Sequence, residues 1–173
     1  MYFGILSERV KAVDGNMPKT VRVYWDRGGV SVPRRRAETH KGDYGKLLIV
    51  GGSVGYTGAP NLCARSAVRS GAGLVYLGVP EAIWSVCAVK NDEAMPFPLP
   101  DRDGKLACAG EEEIRRRAAG CDAVLIGCGL GRSDESDRLV RSLLDLPRPL
   151  VLDADGINAC LLYTSPSPRD VEE

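Results

Sequence analysis

Short apolar runs that stop at glycine, proline or aspartate recur along this chain, and each is followed by residues spaced for a helix. Lys46-Leu-Leu-Ile-Val50 stops at Gly51-Gly52, and Leu74–Val79 stops at Pro80. Asp122–Ile126 opens into Gly127–Gly131, and Pro149–Leu152 reaches Asp153-Ala-Asp-Gly156. Runs this short, apolar at successive positions, read as strands buried on both faces. Between the first two, Ala59–Ser70 has apolar residues at 59, 62, 63, 67 and 68, one face of a helix, and Gly71 and Gly73 end it. Glu81–Val89, Glu111–Ala119, Asp134–Leu144 and Asn158–Leu162 supply the other helices. Glu111–Ala119 places acids first and Arg115–Arg117 last, as the helix dipole favours, and Ser133 is placed to cap Asp134–Leu144. Met95–Pro100 carries three prolines and is expected to be an extended loop.

Strand and helix alternate with crossovers long enough for parallel pairing. Right-handed crossovers then give an α/β fold of three layers around a mostly parallel sheet. In such sheets ligands bind outside the carboxyl ends of the strands. Three of those exits, 51–58, 127–131 and 153–156, are rich in glycine or aspartate.

Residues 1–35 read as a preamble. Thr20–Trp25 and Val30–Val32 flank Asp26-Arg-Gly-Gly29 as a short hairpin, and Pro33–Arg36 is a solvated linker or a phosphate-binding patch.

Composition excludes several function classes. The 173 residues suit one domain. Lys+Arg and Asp+Glu are both 23, without the basic excess of a nucleic-acid binder. No run reaches the roughly 18 apolar residues of a membrane span. The first residues carry no basic flank for an export signal. Six cysteines include no CxxC pair and read as reduced thiols, four of them in apolar or small-residue segments. One histidine supplies a zinc site poorly, and no GxSxG elbow occurs.

The exits carry the chemistry. Gly52, Gly55 and Gly58 let a backbone approach a ligand, and the helix start at Gly58-Ala59 offers N–H groups to an anion; a tight turn is the alternative. Gly127-Cys-Gly-Leu-Gly131 suits a nest around phosphate or ribose, with Arg132 adding charge, or again a turn. Asp153 and Asp155 can hold Mg²⁺ through water, orient a hydroxyl, act as a base, or cap a helix. Lys41 in His40-Lys-Gly-Asp-Tyr-Gly45 is a phosphate candidate or a surface residue.

Taken in order, His40–Lys46, Leu48–Ser53, Tyr56–Ala59, Ala64–Val75, Asp92–Leu99, Asp122–Gly131 and Val151–Gly156 with Asn158 resemble the ADP- or ATP-dependent NAD(P)H-hydrate dehydratase family. That family has a ribokinase-like fold, and the resemblance covers 36–162. It implies repair of NADH or NADPH hydrated at C6 of the nicotinamide ring. The hydroxyl is phosphorylated by ADP or ATP with Mg²⁺, and phosphate is then eliminated, so a poor leaving group becomes a good one. Ala59 and Gly129 match positions that contact the hydrated dinucleotide, with Gly58, Tyr56 and Asp153 as neighbours. Cys128 stands where the family usually has proline.

The resemblance also implies what lies elsewhere. A Thr-Pro-His-Pro-Gly-like segment, a Lys-Gly nucleotide loop and a Gly-Thr-Gly-Asp motif with the catalytic aspartate do not occur in these residues. So no catalytic residue and no metal ligand is assigned, the sheet is expected to be truncated at the C-terminus, and the chain alone is expected to be inactive. Family texture ceases at Leu161, and 163–173 is expected to be a disordered, non-native tail. An uncovered sheet edge favours self-association into a homo-oligomer. Hydrated NADH or NADPH is the expected partner, without nucleic acid or membrane, in the cytoplasm. The rival readings are a small-molecule kinase of the same superfamily and a non-catalytic dinucleotide-binding module.

Overall fold

The computed structural model describes residues 37–160. The hairpin expected over 20–32, the Pro33–Arg36 linker and the tail from 163 lie outside the described residues. The apolar runs form strands β1 (Lys46–Val50), β2 (Leu74–Pro80), β6 (Ala123–Ile126) and β7 (Leu150–Leu152). Helices α1 (Gly58–Arg69), α2 (Glu81–Lys90), α3 (Glu111–Ala119), α4 (Asp134–Ser142) and α5 (Asp155–Cys160) connect or follow them. With β3 (Met95–Leu99), the sheet runs β3-β2-β1-β6-β7, and every pair is parallel.

Alternation along the strands builds two cores. Leu77, Ile49, Leu125 and Val151 stand in register across the sheet. They pack with Ala64 of α1 and with Ile83 and Cys87 of α2. The next row, Tyr76, Leu48, Val124 and Leu150, faces the other way. It packs with Ile114 and Ala118 of α3, Leu139 and Val140 of α4 and Ala159 of α5. Both faces of the sheet are thus covered, which is why its strands are apolar at successive positions.

Met95–Leu99 corrects one expectation: it is the edge strand β3, not a loop. The prolines explain how. Backbone groups alternate sides along a strand, so Met95, Phe97 and Leu99 can bond β2 while Pro96 and Pro98 face outward, where no N–H is needed. The outward Pro96 carbonyl accepts a hydrogen bond from Trp84 Nε1 at 3.2 Å. The edge is thereby closed to another strand.

A two-stranded hairpin, β4 (Asp101–Arg102) and β5 (Lys105–Leu106), was not foreseen either. Its turn, Asp103-Gly104, has φ of 52° and 72°, the left-handed pair that an Asp-Gly turn supplies. Ser133 caps α4 as expected, its Oγ accepting the Ser136 N–H at 3.0 Å. α5 starts at Asp155 rather than Asn158, because the Ala154 carbonyl already takes the N–H groups of Ile157 and Asn158.

Candidate functional site

Chain direction and sheet order together locate a crevice. From β1 the chain builds outward through β2 to β3, then returns to the other side of β1 as β6. The order reverses between β1 and β6, and their carboxyl-end loops must diverge there. Those loops are 51–57 and 127–133, two of the three exits singled out by sequence.

Backbone contact holds them together. Gly52 N–H donates to the Cys128 carbonyl at 2.9 Å, and Ser53 Oγ–H donates to the Gly129 carbonyl at 2.9 Å. Ser53 is fully buried. A Cβ on Gly51 would lie 2.5 Å from the Cys128 carbonyl oxygen. One on Gly129 would lie 2.9 Å from the Tyr56 carbonyl oxygen and 3.0 Å from Ala59 Cβ. Glycine is therefore required by close approach at both loops. Tyr56, at 62% exposure, and Val54, at 58%, hold apolar surface toward solvent beside this pinch. Gly58 has open space where a Cβ would be. Thr57 gives α1 no side-chain cap, so first-turn N–H groups remain available beside Gly58 and Ala59.

The third exit closes on the second. The Gly127 Cα faces the Asp153 carbonyl, and Gly156 packs on the Ile126 carbonyl. Asp155 Oδ2 accepts the Gly131 N–H at 3.1 Å, and Asp153 Oδ2 accepts the Cys128 thiol proton at 3.2 Å. Ala154, between the two acids, is held at φ 46°, a left-handed conformation that costs a non-glycine residue about 1 kcal/mol. Contact with Cys63, reinforced by burial and Asp153, pushes the Cys128 thiol far up. Cys63 on α1 is held below the ordinary thiol value by that same contact.

All five residues singled out by sequence therefore meet at one place: Tyr56, Gly58 and Ala59 on the first loop and helix start, Gly129 against them, and Asp153 next to Cys128. Lys41 does not join them. It lies in a 3-10 turn, Lys41–Tyr44, whose carbonyls pack on Gly73 at the amino ends of β1 and β2. Sequence reasoning missed the β4–β5 hairpin. Gly104 O accepts the Val54 N–H at 2.9 Å, so the hairpin turn sits on the first glycine loop. Lys105 Nζ reaches the Arg132 carbonyl at 2.9 Å, adding a cation beside Gly131. The Asp-Gly pair between short extended segments was the signal. A shallow cavity of about 300 Å³ lined by Gly58, Asn61, Leu62, Arg65 and Lys90 lies along α1, and neither Gly129 nor Asp153 lines it.

The profile of the NAD(P)H-hydrate dehydratase family matches residues 47–168. The chain belongs to that family. It is 43% identical to a bifunctional NAD(P)H-hydrate repair enzyme of Moorella thermoacetica over 132 residues, 74% of this chain and 24% of that protein. To the enzyme of the same name from Dictyoglomus turgidum it is 43% identical over 122 residues, 69% of the chain and 24% of the relative. The chain thus spans about a quarter of the length of these relatives. Among solved structures, a ribokinase-like superfamily protein from Enterococcus faecalis superposes with TM-score 0.61 at 21% identity, over 73% of this chain and 42% of that one. That likeness shows the ribokinase-like fold. A Bacillus subtilis ADP/ATP-dependent NAD(P)H-hydrate dehydratase, co-crystallized with ATP/Mg²⁺, superposes with TM-score 0.55 at 30% identity, over 72% and 42%.

All six cysteines are free thiols. No helix among the described residues is long and apolar enough to cross a membrane.

Proposed function

We propose that this chain carries the hydrated-dinucleotide side of an NAD(P)H-hydrate dehydratase site. The observation that carries the reading is the closure of Gly129 on Tyr56 and Ala59 at the point where the sheet order reverses. Ala59 and Gly129 contact the dinucleotide through backbone, and Gly58 leaves room for it. Tyr56 offers an exposed ring for stacking, and Asp153 offers a carboxylate to a substrate hydroxyl. The free N–H groups at the start of α1 face the anionic part of the ligand. These residues position substrate; bond breaking is not assigned to them. In the family reaction the C6 hydroxyl is phosphorylated by ADP or ATP and phosphate is eliminated.

The described residues do not fit Mg²⁺. Asp153 and Asp155 both spend an oxygen on the Gly127–Gly131 loop, and Asp155 Oδ1 also takes Asn158 Nδ2 at 3.3 Å. Among the described residues no cluster of three or more His, Cys, Asp or Glu side chains could hold a metal ion. We therefore place neither the metal nor the phosphoryl donor on residues 37–160. Six free thiols support a cytoplasmic location.

The test is titration of the purified chain with hydrated NADH, with NADH as control. Selective saturable binding, weakened at least about tenfold in Gly129→Val, is the expected result. Equal affinity for NADH and its hydrate, or unchanged binding in Gly129→Val, would refute the reading.

A further inference from the structure

We propose that Lys105 is a specificity residue of the crevice, its ammonium the counter-charge for a phosphate group of the dinucleotide at the Gly131 end. The assignment rests on the dinucleotide function proposed above and adds to it a contact made by a side chain.

The hairpin that carries Lys105 touches both loops of the crevice. Asp101 ties its turn down: Oδ1 accepts the Gly104 N–H at 3.2 Å, and Oδ2 accepts the Ala82 N–H at the start of α2 at 2.9 Å. The Gly104 carbonyl takes the Val54 N–H of the first loop at 2.9 Å. Lys105 then crosses to the second loop. Its Cε would lie 3.5 Å from a Cβ placed on Gly131, and its Nζ donates to the Arg132 carbonyl at 2.9 Å. The residue is half-buried, and the bond its ammonium makes is exposed. A stem held by packing thus carries a charge that a ligand can reach.

Charge balance marks this cation. Lys105 stands directly opposite Arg102 across the two-residue ladder, and like charges so placed repel. Arg102 is answered by Glu135 at 2.5 Å, and Arg132 on the second loop by Asp137 at 3.0 Å. Among the described residues no carboxylate forms an ion pair with Lys105. The Arg132 carbonyl takes only one of the ammonium's protons. The Asp155 carboxylate at this loop is already engaged, by the Gly131 N–H at 3.1 Å and by Asn158 Nδ2 at 3.3 Å. The loop itself has unspent donors: among the described residues the Gly129 and Arg132 N–H groups make no hydrogen bond. A cation beside unspent N–H groups suits an anion, and the anionic groups of a dinucleotide are its phosphates.

The test titrates the full chain with hydrated NADH and with hydrated NADPH, each at low and at moderate salt. Parent, Lys105→Gln and Lys105→Arg are compared, and urea midpoints check that each is folded. Glutamine can still donate to the Arg132 carbonyl, so a purely structural Lys105 would leave binding in Lys105→Gln as in the parent. Loss of a charge-assisted contact should instead weaken binding about tenfold. It should also flatten the dependence on salt, and Lys105→Arg should restore both. Equal weakening toward both hydrates places the contact at the pyrophosphate, and weakening toward hydrated NADPH alone places it at the 2′-phosphate. If Gly129→Val weakens binding while Lys105→Gln keeps the parent's affinity and salt dependence, the Lys105 assignment is overturned and the proposed function stands. If the parent does not prefer the hydrate to NADH, the proposed function fails, and inorganic pyrophosphate reads Lys105 by itself. Tighter pyrophosphate binding by the parent than by Lys105→Gln keeps the phosphate contact, and no difference between them overturns it.

Discussion

Gly127→Ala is the most searching single change for the construction of the crevice. Gly127 ends β6 at φ 129°, a conformation that L side chains rarely adopt. The added methyl would sit 1.9 Å from the Asp153 carbonyl oxygen and 2.8 Å from the Gly156 nitrogen. Both neighbours are backbone and cannot swing aside. The exits of β6 and β7 would have to part by about 1 Å merely to reach the shortest contact that real Cβ atoms show. Asp153 N–H bonds the Ile126 carbonyl at 3.0 Å, so that parting stretches the last ladder bond. Backbone strain of about 1–3 kcal/mol and overpacking of about 1–3 kcal/mol give a loss near 4 kcal/mol. For a domain with stability of about 5–15 kcal/mol that is a large share. With a urea slope of about 2 kcal/mol/M, the midpoint should fall by about 2 M. Gly58→Ala makes the same chemical change where nothing lies within 4 Å. Its backbone is helical, so it should be neutral or stabilising by up to about 1 kcal/mol. Urea unfolding followed by circular dichroism reads both. Equal midpoints for parent and Gly127→Ala would refute the packing argument.

Two smaller effects test other parts of the frame. Ser133→Ala removes the acceptor of the Ser136 N–H and should cost about 1–2 kcal/mol, a fall in melting temperature of a few degrees, read by calorimetry. Glu113 is held below the ordinary carboxylate value by Arg116 and Arg117, at 2.6 and 2.5 Å. A lowered native value means its contribution is full above the unfolded carboxylate value and disappears as pH falls through the native one. Solvent screens the pair, so Glu113→Gln should cost less than about 1 kcal/mol at pH 7. Urea midpoints of parent and variant should converge on acidification below the carboxylate range; a gap independent of pH would exclude this account.

Four of the five sheet strands were legible because their apolar runs had nowhere else to go. Leu48, Ile49 and Val50 cannot face water on either side, and they do not. β3 was missed for a physical reason. Proline forbids a central strand and permits an edge strand whose prolines point outward, and nothing local says which side of Met95–Leu99 meets a neighbour. The β4–β5 hairpin was missed because strands of two residues carry no periodicity, although Asp103-Gly104 marked the turn. Tyr56, Gly58, Ala59, Gly129 and Asp153 were named through the family resemblance, and all five lie at or beside the strand exits that the glycine and aspartate pattern marked. Lys105 follows no such pattern, and only the fold of the hairpin brings it to Gly131.

The same close contacts explain why the glycines were readable and Cys128 was not an obstacle. Gly51, Gly127 and Gly129 each face a backbone oxygen, so their identity follows from how near two loops must come. Cys128 takes part in that framework through its carbonyl, which receives the Gly52 N–H. A proline at this position would keep that carbonyl. The backbone of the crevice is therefore indifferent to the side chain at 128, and the side chain is free to take on a different partner. Here its thiol donates to Asp153 Oδ2 at 3.2 Å, tying the second loop to the third exit. The side chain at 128 thus adds a bond to the third exit, while its main-chain role in the crevice rests on a carbonyl that every residue carries.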